Sequence, residues 1–288
     1  MKYEKDKITV IIPVYNVENY IEKMAEQDKK SQKAEIDDVS KQKEFLDFGD
    51  VTYTEKTRAV IKIQDGCDRF CSYCIIPYAR GRVRSRKPEN IISEITQIAS
   101  KGIKEVVITG IHIASYGKDF AMSKDSKLTN YRLIDLLEEI NEIQGIQRIR
   151  LGSIEPLLIT VEFVERLKKL EKICHHFHLS LQSGCDETLK RMNRRYTTEQ
   201  FKEIVRLLRN AYSDVNLTTD IIVGFPGETD EEFNKTYQFL KEIKFYKMHV
   251  FKYSPRKGTK AAVMPNQING DIKEERSKKL IELSDRNE

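Results

Sequence analysis

Three cysteines in one short loop could bind a metal centre. They are Cys67, Cys71 and Cys74, with three residues between the first two and two residues between the last two. Three thiolates can hold three irons of a [4Fe–4S] cluster and leave the fourth iron open to a ligand. A structural zinc site normally has a fourth Cys or His close by, and this loop contains none. The spacing therefore favours an iron–sulfur cluster, with zinc or free thiols as the alternatives.

The neighbours of this loop and the remaining cysteines refine that prediction. Tyr73 stands directly before the last loop cysteine and could place a flat aromatic face beside the cluster and near an adenine. Cys174 and Cys185 lie far along the chain and are predicted to be ordinary thiols. An odd number of cysteines, most of them in one loop, is typical of a reducing compartment and not of a disulfide scaffold. We therefore expect a cytoplasmic protein.

Apolar strands and amphipathic helices alternate from about residue 55 onward. Predicted strands cover residues 59–64, 105–113, 148–155, 177–182, 217–225 and 248–253, and predicted helices cover 89–101, 131–143, 160–170, 198–210, 231–243 and 272–283. Strict alternation implies a parallel sheet with helical crossovers, and continuous apolar strands suit burial on both faces. Six units are too few for a closed eight-stranded barrel. We predict an α/β fold, an open (β/α)6 partial TIM barrel.

Polar residues and glycines follow the strands of this predicted barrel. Active residues of such folds sit at the C-terminal ends of the strands, and the cysteine loop follows the first strand directly. One polar residue at a strand end is often a helix cap or a turn residue, but a whole series of such ends favours a binding site. The candidates for cofactor contacts are Thr109, Gly110, Ser153, Glu155, Gln182 and Asp220.

Histidines add two weaker candidates. His112 follows the second strand and could act as an acid or base, although a packed polar residue at a strand end is the interpretation that we favour. His175, His176 and His178 resemble a metal-binding tract. Strand alternation sends only two of these three side chains to one face, so we do not expect zinc there.

Two groups of arginines follow the first and fourth strands. In the first group every second residue is an arginine. This alternation would project the charges from an extended stretch on the open face of the barrel. Such patches neutralise phosphates and give salt-dependent binding of nucleic acid, and the alternative is a solvated charged surface. We predict contact with RNA by Arg80, Arg82, Arg84, Arg86, Arg194 and Arg195.

The first 54 residues differ from the rest. Residues 1–24 read as a strand, a turn and a helix start, and they resemble the opening of family-2 glycosyltransferases, but no Asp-x-Asp metal motif follows in a fitting context. A single strand cannot bury a core, so we expect a fragment without glycosyltransferase activity. Residues 25–54 are predicted to be a charged linker, and residues 55–288 the main domain. No apolar run approaches the ~20 residues of a membrane span, so we expect no membrane partner.

Five motifs together resemble the radical S-adenosylmethionine (SAM) methylthiotransferases. The resemblance extends over roughly residues 30–288 and is strongest to the branch that acts on N6-threonylcarbamoyladenosine in tRNA, beside the anticodon. The motifs that carry it occupy residues 62–67, 71–81, 109–112, 179–185 and 219–229.

The resemblance implies a mechanism and its partners. A [4Fe–4S] cluster on Cys67, Cys71 and Cys74 would donate an electron to SAM, giving methionine and a 5′-deoxyadenosyl radical. This radical would abstract hydrogen from an adenine carbon, where sulfur and a methyl group are then installed. The implied partners are tRNA and an electron donor of the flavodoxin or ferredoxin type.

The chain departs from this family in two respects. Family members carry three further cysteines in an N-terminal domain for a second cluster, whereas residues 1–66 here contain no cysteine. They also end in a small RNA-binding β-barrel, and this sequence stops at Glu288. Sulfur transfer would then need a separate sulfur-donor domain. The alternatives are an inactive RNA- or partner-binding remnant of a gene fusion, and a radical SAM enzyme with another substrate.

Overall fold

A computed structural model describes residues 42, 44–47, 57–122 and 125–286 of the chain. The predicted fragment 1–24 lies outside these residues, as does most of the predicted linker 25–54. Within the described part, no helix is long and apolar enough to cross a membrane.

Six parallel strands form two sheets. Strands β1, β3 and β4 pair in the first, where β2 pairs antiparallel with the outer edge of β1, and strands β5, β6 and β7 pair in the second. Single parallel bridges, Ile149 to Ile173 and Ile154 to Leu179, connect the two sheets between β4 and β5. The strands are β1 Arg58–Asp65, β2 Arg84–Ser85, β3 Glu105–Gly110, β4 Arg148–Leu151, β5 His176–Gln182, β6 Asn216–Val223 and β7 Lys247–Lys252.

Helices cover the outer face of these sheets. They are α1 Ile76–Ala79, α2 Pro88–Ser100, α3 Leu133–Glu142, α4 Val161–Leu167, α5 Asp186–Arg191, α6 Thr198–Ala211, α7 Asp230–Ile243 and α8 Gly270–Asp285. Their buried apolar faces and the alternate residues of the strands make one continuous core. The predicted (β/α)6 partial barrel is confirmed.

The strand ends are where the prediction and the structure differ. Strand β4 stops at Leu151: the N–H of Gly152 still donates to the carbonyl of Ile108 in β3, but Ile154 bridges to Leu179 of β5. Strand β3 stops at Gly110, and a short 3₁₀ turn follows from Ile113. The two-residue β2 and the short α5 lack the apolar periodicity that sequence analysis uses, so neither was predicted.

Candidate active site

The cysteine loop leaves β1 through a turn that requires glycine. Gly66 has a φ of +71°, and a Cβ there would lie 1.8 Å from the carbonyl oxygen of Arg82. The N–H of Cys67 donates to the carbonyl of Gly81 at 3.1 Å, so the chain after the loop holds the first cysteine in place. Asp65 accepts from the N–H of Gly66 at 2.8 Å and closes the turn.

The three loop cysteines are free thiols that receive N–H donors. Cys67 is buried, and Cys71 and Cys74 are half-exposed. The Sγ of Cys67 accepts from the N–H of Arg69 at 3.4 Å, and the Sγ of Cys71 accepts from Nη1 of Arg194 at 3.4 Å. Burial raises the pKa of the Cys67 and Cys74 thiols. Ionised sulfurs in this loop therefore need a positive partner.

Three thiols in one loop fit the three cysteine ligands of a [4Fe–4S] cluster. Within the residues that the structure describes, no three His, Cys, Asp or Glu side chains are placed to hold one metal ion. In a [4Fe–4S] cluster each cysteine sulfur binds a different iron, so three thiols of one loop need not converge on one point. The N–H donors at the sulfurs are a further feature of such sites.

The segment after α5 supports the cysteine loop from the opposite half of the barrel. The N–H of Ser72 donates to the carbonyl of Met192 at 3.0 Å, and its hydroxyl donates to the carbonyl of Arg191 at 2.8 Å. Nδ2 of Asn193, a residue with a φ of +59°, donates to the carbonyl of Phe70 at 2.8 Å. These bonds join the two sheets across the mouth of the barrel.

Gln64 connects the ends of β1 and β3 beside the loop. This fully buried side chain donates to the carbonyl of Gly66 at 2.7 Å and accepts from the N–H of His112 at 2.7 Å. A Cβ on Gly110 would lie 2.9 Å from the carbonyl oxygen of Gln64, so the backbones approach closely here. Thr109 precedes this contact and is half-buried.

The other predicted site residues lie after the end of β4, at the end of β5 and within β6. Glu155, which is 5% exposed, accepts from Nη2 of Arg69 in the cysteine loop at 2.8 Å. Ser153 is exposed. Gln182 ends β5 with a φ of +72°, and Asp220 lies 3.2 Å from Nε2 of His178.

Tyr73 is only partly exposed to solvent. Its ring packs edge-on against Phe225, with 6.3 Å between the ring centres, and it contacts the small apolar cluster that follows β6. The end of β6 is therefore in contact with the cysteine loop, as the end of β4 is through Glu155. The predicted site residues come from the cysteine loop, the ends of β3 and β5, the segment after β4 and the interior of β6.

The chain also matches a known sequence family. The sequence model described as the radical SAM superfamily matches residues 61–240, which is more than half of the chain. The chain belongs to the radical SAM superfamily. Its membership confirms the fold class and the expected cofactors, a [4Fe–4S] cluster and SAM.

Two curated relatives specify the resemblance. The threonylcarbamoyladenosine tRNA methylthiotransferase MtaB of Bacillus subtilis is 44% identical over 87% of this chain and 54% of its own length. The tRNA-2-methylthio-N(6)-dimethylallyladenosine synthase of Caldicellulosiruptor saccharolyticus is 46% identical over 80% of this chain and 47% of its own length. The predicted resemblance to methylthiotransferases is confirmed, and the radical SAM chain spans about half the length of these relatives.

A solved structure shows the same fold. The radical SAM methyltransferase TsrM of Kitasatospora setae, solved with cobalamin and a [4Fe–4S] cluster, matches with a TM-score of 0.56. The match is 20% identical and covers 71% of this chain and 38% of that one. At this identity the likeness concerns the fold alone.

His112 is a neutral, packed residue in this radical SAM chain. Its Nδ1 lies 2.8 Å from the hydroxyl of Ser115, and its Nε2 is buried without a hydrogen-bond partner among the described residues. Burial and the charge of nearby Arg69 lower the pKa of His112 to about 3. The imidazole is therefore uncharged near neutral pH and cannot act there as a cationic proton donor.

The three-histidine tract does not converge. His175 lies 2.6 Å from Asp214, whereas His178 pairs with Thr218 and Asp220 inside the barrel. His176 lies 3.3 Å from the hydroxyl of Thr218. The alternation along β5 explains this separation, because neighbouring strand residues point to opposite faces.

The structure corrects the placement of three of the six predicted RNA contacts. Arg84 and Arg86 are buried, not projected: Arg84 donates to the carbonyl of Arg80 at 2.9 Å, and Arg86 pairs with Asp47 and Glu94. The cause is that β2 pairs with β1 and turns this stretch inward. Arg194 points to Cys71.

The remaining three arginines keep the predicted exposure. Arg80 and Arg82 are exposed beside Asp65 and Asp68, and Arg195 is exposed after α5. Sequence analysis missed Gln64, Asn193 and the sulfur contact of Arg194. Gln64 stands in a motif segment and Arg194 in none, and no residue spacing indicates which partner either one reaches.

Proposed function

We propose that this chain is the radical SAM part of a tRNA methylthiotransferase that modifies an adenosine beside the anticodon. The observation that carries the proposal is the loop of three free thiols at the end of β1, next to polar residues from four other elements. Identities of 44% and 46% with relatives named for tRNA methylthiolation support the choice of reaction.

In this proposal Cys67, Cys71 and Cys74 hold the cluster. When bound, the cluster supplies the electron that cleaves SAM. Gly110 ends β3 beside the cysteine loop, and its backbone would serve the amino end of SAM. Glu155 is already oriented by Arg69, so one carboxylate is held at the mouth of the barrel.

The other candidates complete the proposed SAM site. Ser153, Gln182 and Asp220 would serve the amino, carboxylate or ribose groups, and Thr109 precedes the glycine contact. Tyr73 would pack near the adenine, since Phe225 holds its ring upright beside the loop. These roles rest on the positions of Thr109, Ser153 and Gln182 at or just after strand ends, of Asp220 within β6 and of Tyr73 in the cysteine loop.

The proposed substrate is N6-threonylcarbamoyladenosine in tRNA. The motif resemblance favours it, whereas the named relatives include enzymes for both threonylcarbamoyl and dimethylallyl adenosines at similar identity. We propose a flavodoxin- or ferredoxin-type electron donor and a cytoplasmic location. We also propose a separate sulfur-donor domain as a partner.

The test begins with anaerobic reconstitution of the full chain with iron and sulfide. Dithionite and SAM are then added, and 5′-deoxyadenosine is measured by chromatography. We expect about four irons per chain and product formation, both lost in Cys71→Ala. Cys174→Ala is the matched control, since Cys174 is a free, half-exposed thiol outside the loop.

A second assay addresses the RNA. An anticodon stem-loop that carries N6-threonylcarbamoyladenosine is incubated with the active chain, and a parallel stem-loop carries the dimethylallyl base. Mass spectrometry then detects methylthio addition. SAM cleavage without modification of either RNA, even with a sulfur donor added, would contradict the proposed substrate. Zinc in place of iron in the reconstituted protein would contradict the whole proposal.

A further inference from the structure

The guanidinium of Arg194 joins the cysteine loop to the end of β5. Nη1 donates to the Sγ of Cys71 at 3.4 Å, and Nη2 donates to the carbonyl of Ser180 at 2.9 Å. One planar group thus contacts a loop sulfur and the opposite half of the barrel. Sequence analysis had placed this arginine on an RNA-binding surface.

A buried tyrosine fixes the direction of this guanidinium. Nε of Arg194 donates to the hydroxyl of Tyr196 at 3.0 Å, and the guanidinium carbon lies 5.0 Å from the centre of the tyrosine ring. The Tyr196 hydroxyl is itself held by the carbonyls of Ser180 and Leu181 at 2.7 and 2.6 Å. Stacking and the forked hydrogen bonds leave Arg194 one orientation, toward Cys71.

Arg194 remains a cation in this setting. Burial by itself would lower the pKa of Arg194, but Tyr196, Tyr73 and Cys71 raise it well above the ordinary arginine value. Among the described residues, the sulfur of Cys67 receives a backbone N–H, whereas the sulfur of Cys71 receives a donor that carries a full positive charge. Charge-assisted hydrogen bonds are the stronger kind.

We propose that Arg194 sets the reduction potential of the cluster on Cys67, Cys71 and Cys74. Reduction transfers one electron from a flavodoxin- or ferredoxin-type donor to the cluster and moves no proton. The reduced cluster is more negative by one charge, so a fixed cation at a ligand sulfur stabilises it and raises the potential. Arg194 is a positioning and tuning residue in this proposal, because it acts through Cys71.

This inference rests on the proposed function, which places the cluster in the loop. The test measures the midpoint potential of the cluster in the reconstituted full chain without SAM. The potential is obtained from a redox titration that is monitored by electron paramagnetic resonance. Arg194→Gln removes the charge and keeps N–H donors, and Arg194→Lys keeps the charge. Arg195→Gln is the control, since this neighbouring arginine is exposed.

We expect the glutamine variant to bind the wild-type amount of iron at a more negative potential. A tenfold fall in the equilibrium constant for reduction corresponds to about 59 mV for a one-electron couple. The lysine variant should shift less, and Arg195→Gln should match the wild type. An unchanged potential in a glutamine variant with full iron content overturns the inference and leaves the proposed function intact.

One outcome requires a further variant, and another concerns the proposed function and not this inference. If Arg194→Gln assembles no cluster, the potential is measured in Tyr196→Phe, which removes the anchor of the guanidinium and leaves its charge. A negative shift there supports the inference, and an unchanged potential overturns it. A wild-type chain that binds no iron overturns the proposed function, which the iron content shows before any potential is measured.

Discussion

Nη1 of Arg276 donates to Oε2 of Glu228 at 2.7 Å, and both side chains are almost fully buried. Arg276 belongs to α8, and Glu228 lies in the turn between β6 and α7. The same carboxylate oxygen accepts from the N–H of Gly224 at 2.6 Å. The pair therefore fastens the last helix to the turn that places Phe225 against Tyr73 of the cysteine loop.

Removal of one partner from this ion pair should destabilise the chain strongly. In Arg276→Met the Glu228 carboxylate stays buried without its cation, and such losses cost about 3–5 kcal/mol. Urea denaturation measures the free energy of unfolding. Lys278→Met, an exposed change on the same helix, should alter it by no more than about 0.5 kcal/mol. Equal midpoints for the two variants would show that the pair contributes little.

Gly66→Ala should abolish iron binding. The alanine Cβ would overlap the carbonyl oxygen of Arg82 at 1.8 Å, so the loop cannot leave β1 along its present path. Gly102→Ala is the control for backbone strain alone. Gly102 also has a positive φ, of +88°, but an added Cβ there would meet open space and no clash. The control should lose about 1–2 kcal/mol of stability and keep its iron. Iron per chain after reconstitution is the measurement.

The free energy of unfolding should decrease as the pH is lowered below about 6.5, because of His112. The unfolded chain binds a proton near the ordinary histidine pKa of about 6.5, whereas the folded chain holds His112 neutral down to about pH 3. The folded state thus binds fewer protons in this window, and its stability rises with pH across it. From pH 6.5 to 5.5 the loss from this residue is about 1 kcal/mol.

Urea denaturation over this pH range tests the His112 prediction. His112→Asn removes the titrating group, so its free energy of unfolding should depend less steeply on pH than that of the wild type. A histidine ring signal of residue 112 that titrates near pH 6.5 in the folded chain would falsify the prediction.

Arg82→Gln and Arg195→Gln should each weaken tRNA binding. Both side chains are exposed on the cluster-loop side of the barrel, where they can reach phosphates. Each lost phosphate contact reduces the slope of the logarithm of affinity against that of salt concentration by about 1. Filter binding at several salt concentrations measures the slope. Slopes equal to that of the wild type would place the RNA elsewhere.

Arg86→Gln provides the contrast for the RNA prediction. Arg86 lies between Asp47 and Glu94 in the interior, so its loss leaves the buried carboxylate of Glu94 without a cation. We expect a large fall in the free energy of unfolding, of about 3–5 kcal/mol, and no change in the salt slope of the folded protein. A stable variant with a reduced slope would restore Arg86 to the RNA surface.

Local patterns in the sequence were enough to predict the elements and the loop. Apolar periodicity located six strands and six helices because each element must bury one face, and the spacing of Cys67, Cys71 and Cys74 is a property of one short segment. The parallel order followed from the alternation of strands and helices. It also predicted that Glu155 and Gln182 lie at the edge where the parallel strands end, whereas Asp220 lies within β6.

Tertiary structure decided which partners the polar side chains meet. Arg84 and Arg86 carry the same charge and spacing as Arg80 and Arg82, yet pairing of β2 with β1 buries the first two and leaves the others exposed. Arg194 reaches Cys71 across 123 residues of sequence. Such contacts depend on the crossing of distant segments, which residue type and local spacing do not encode, whereas burial of a periodic apolar face does follow from them.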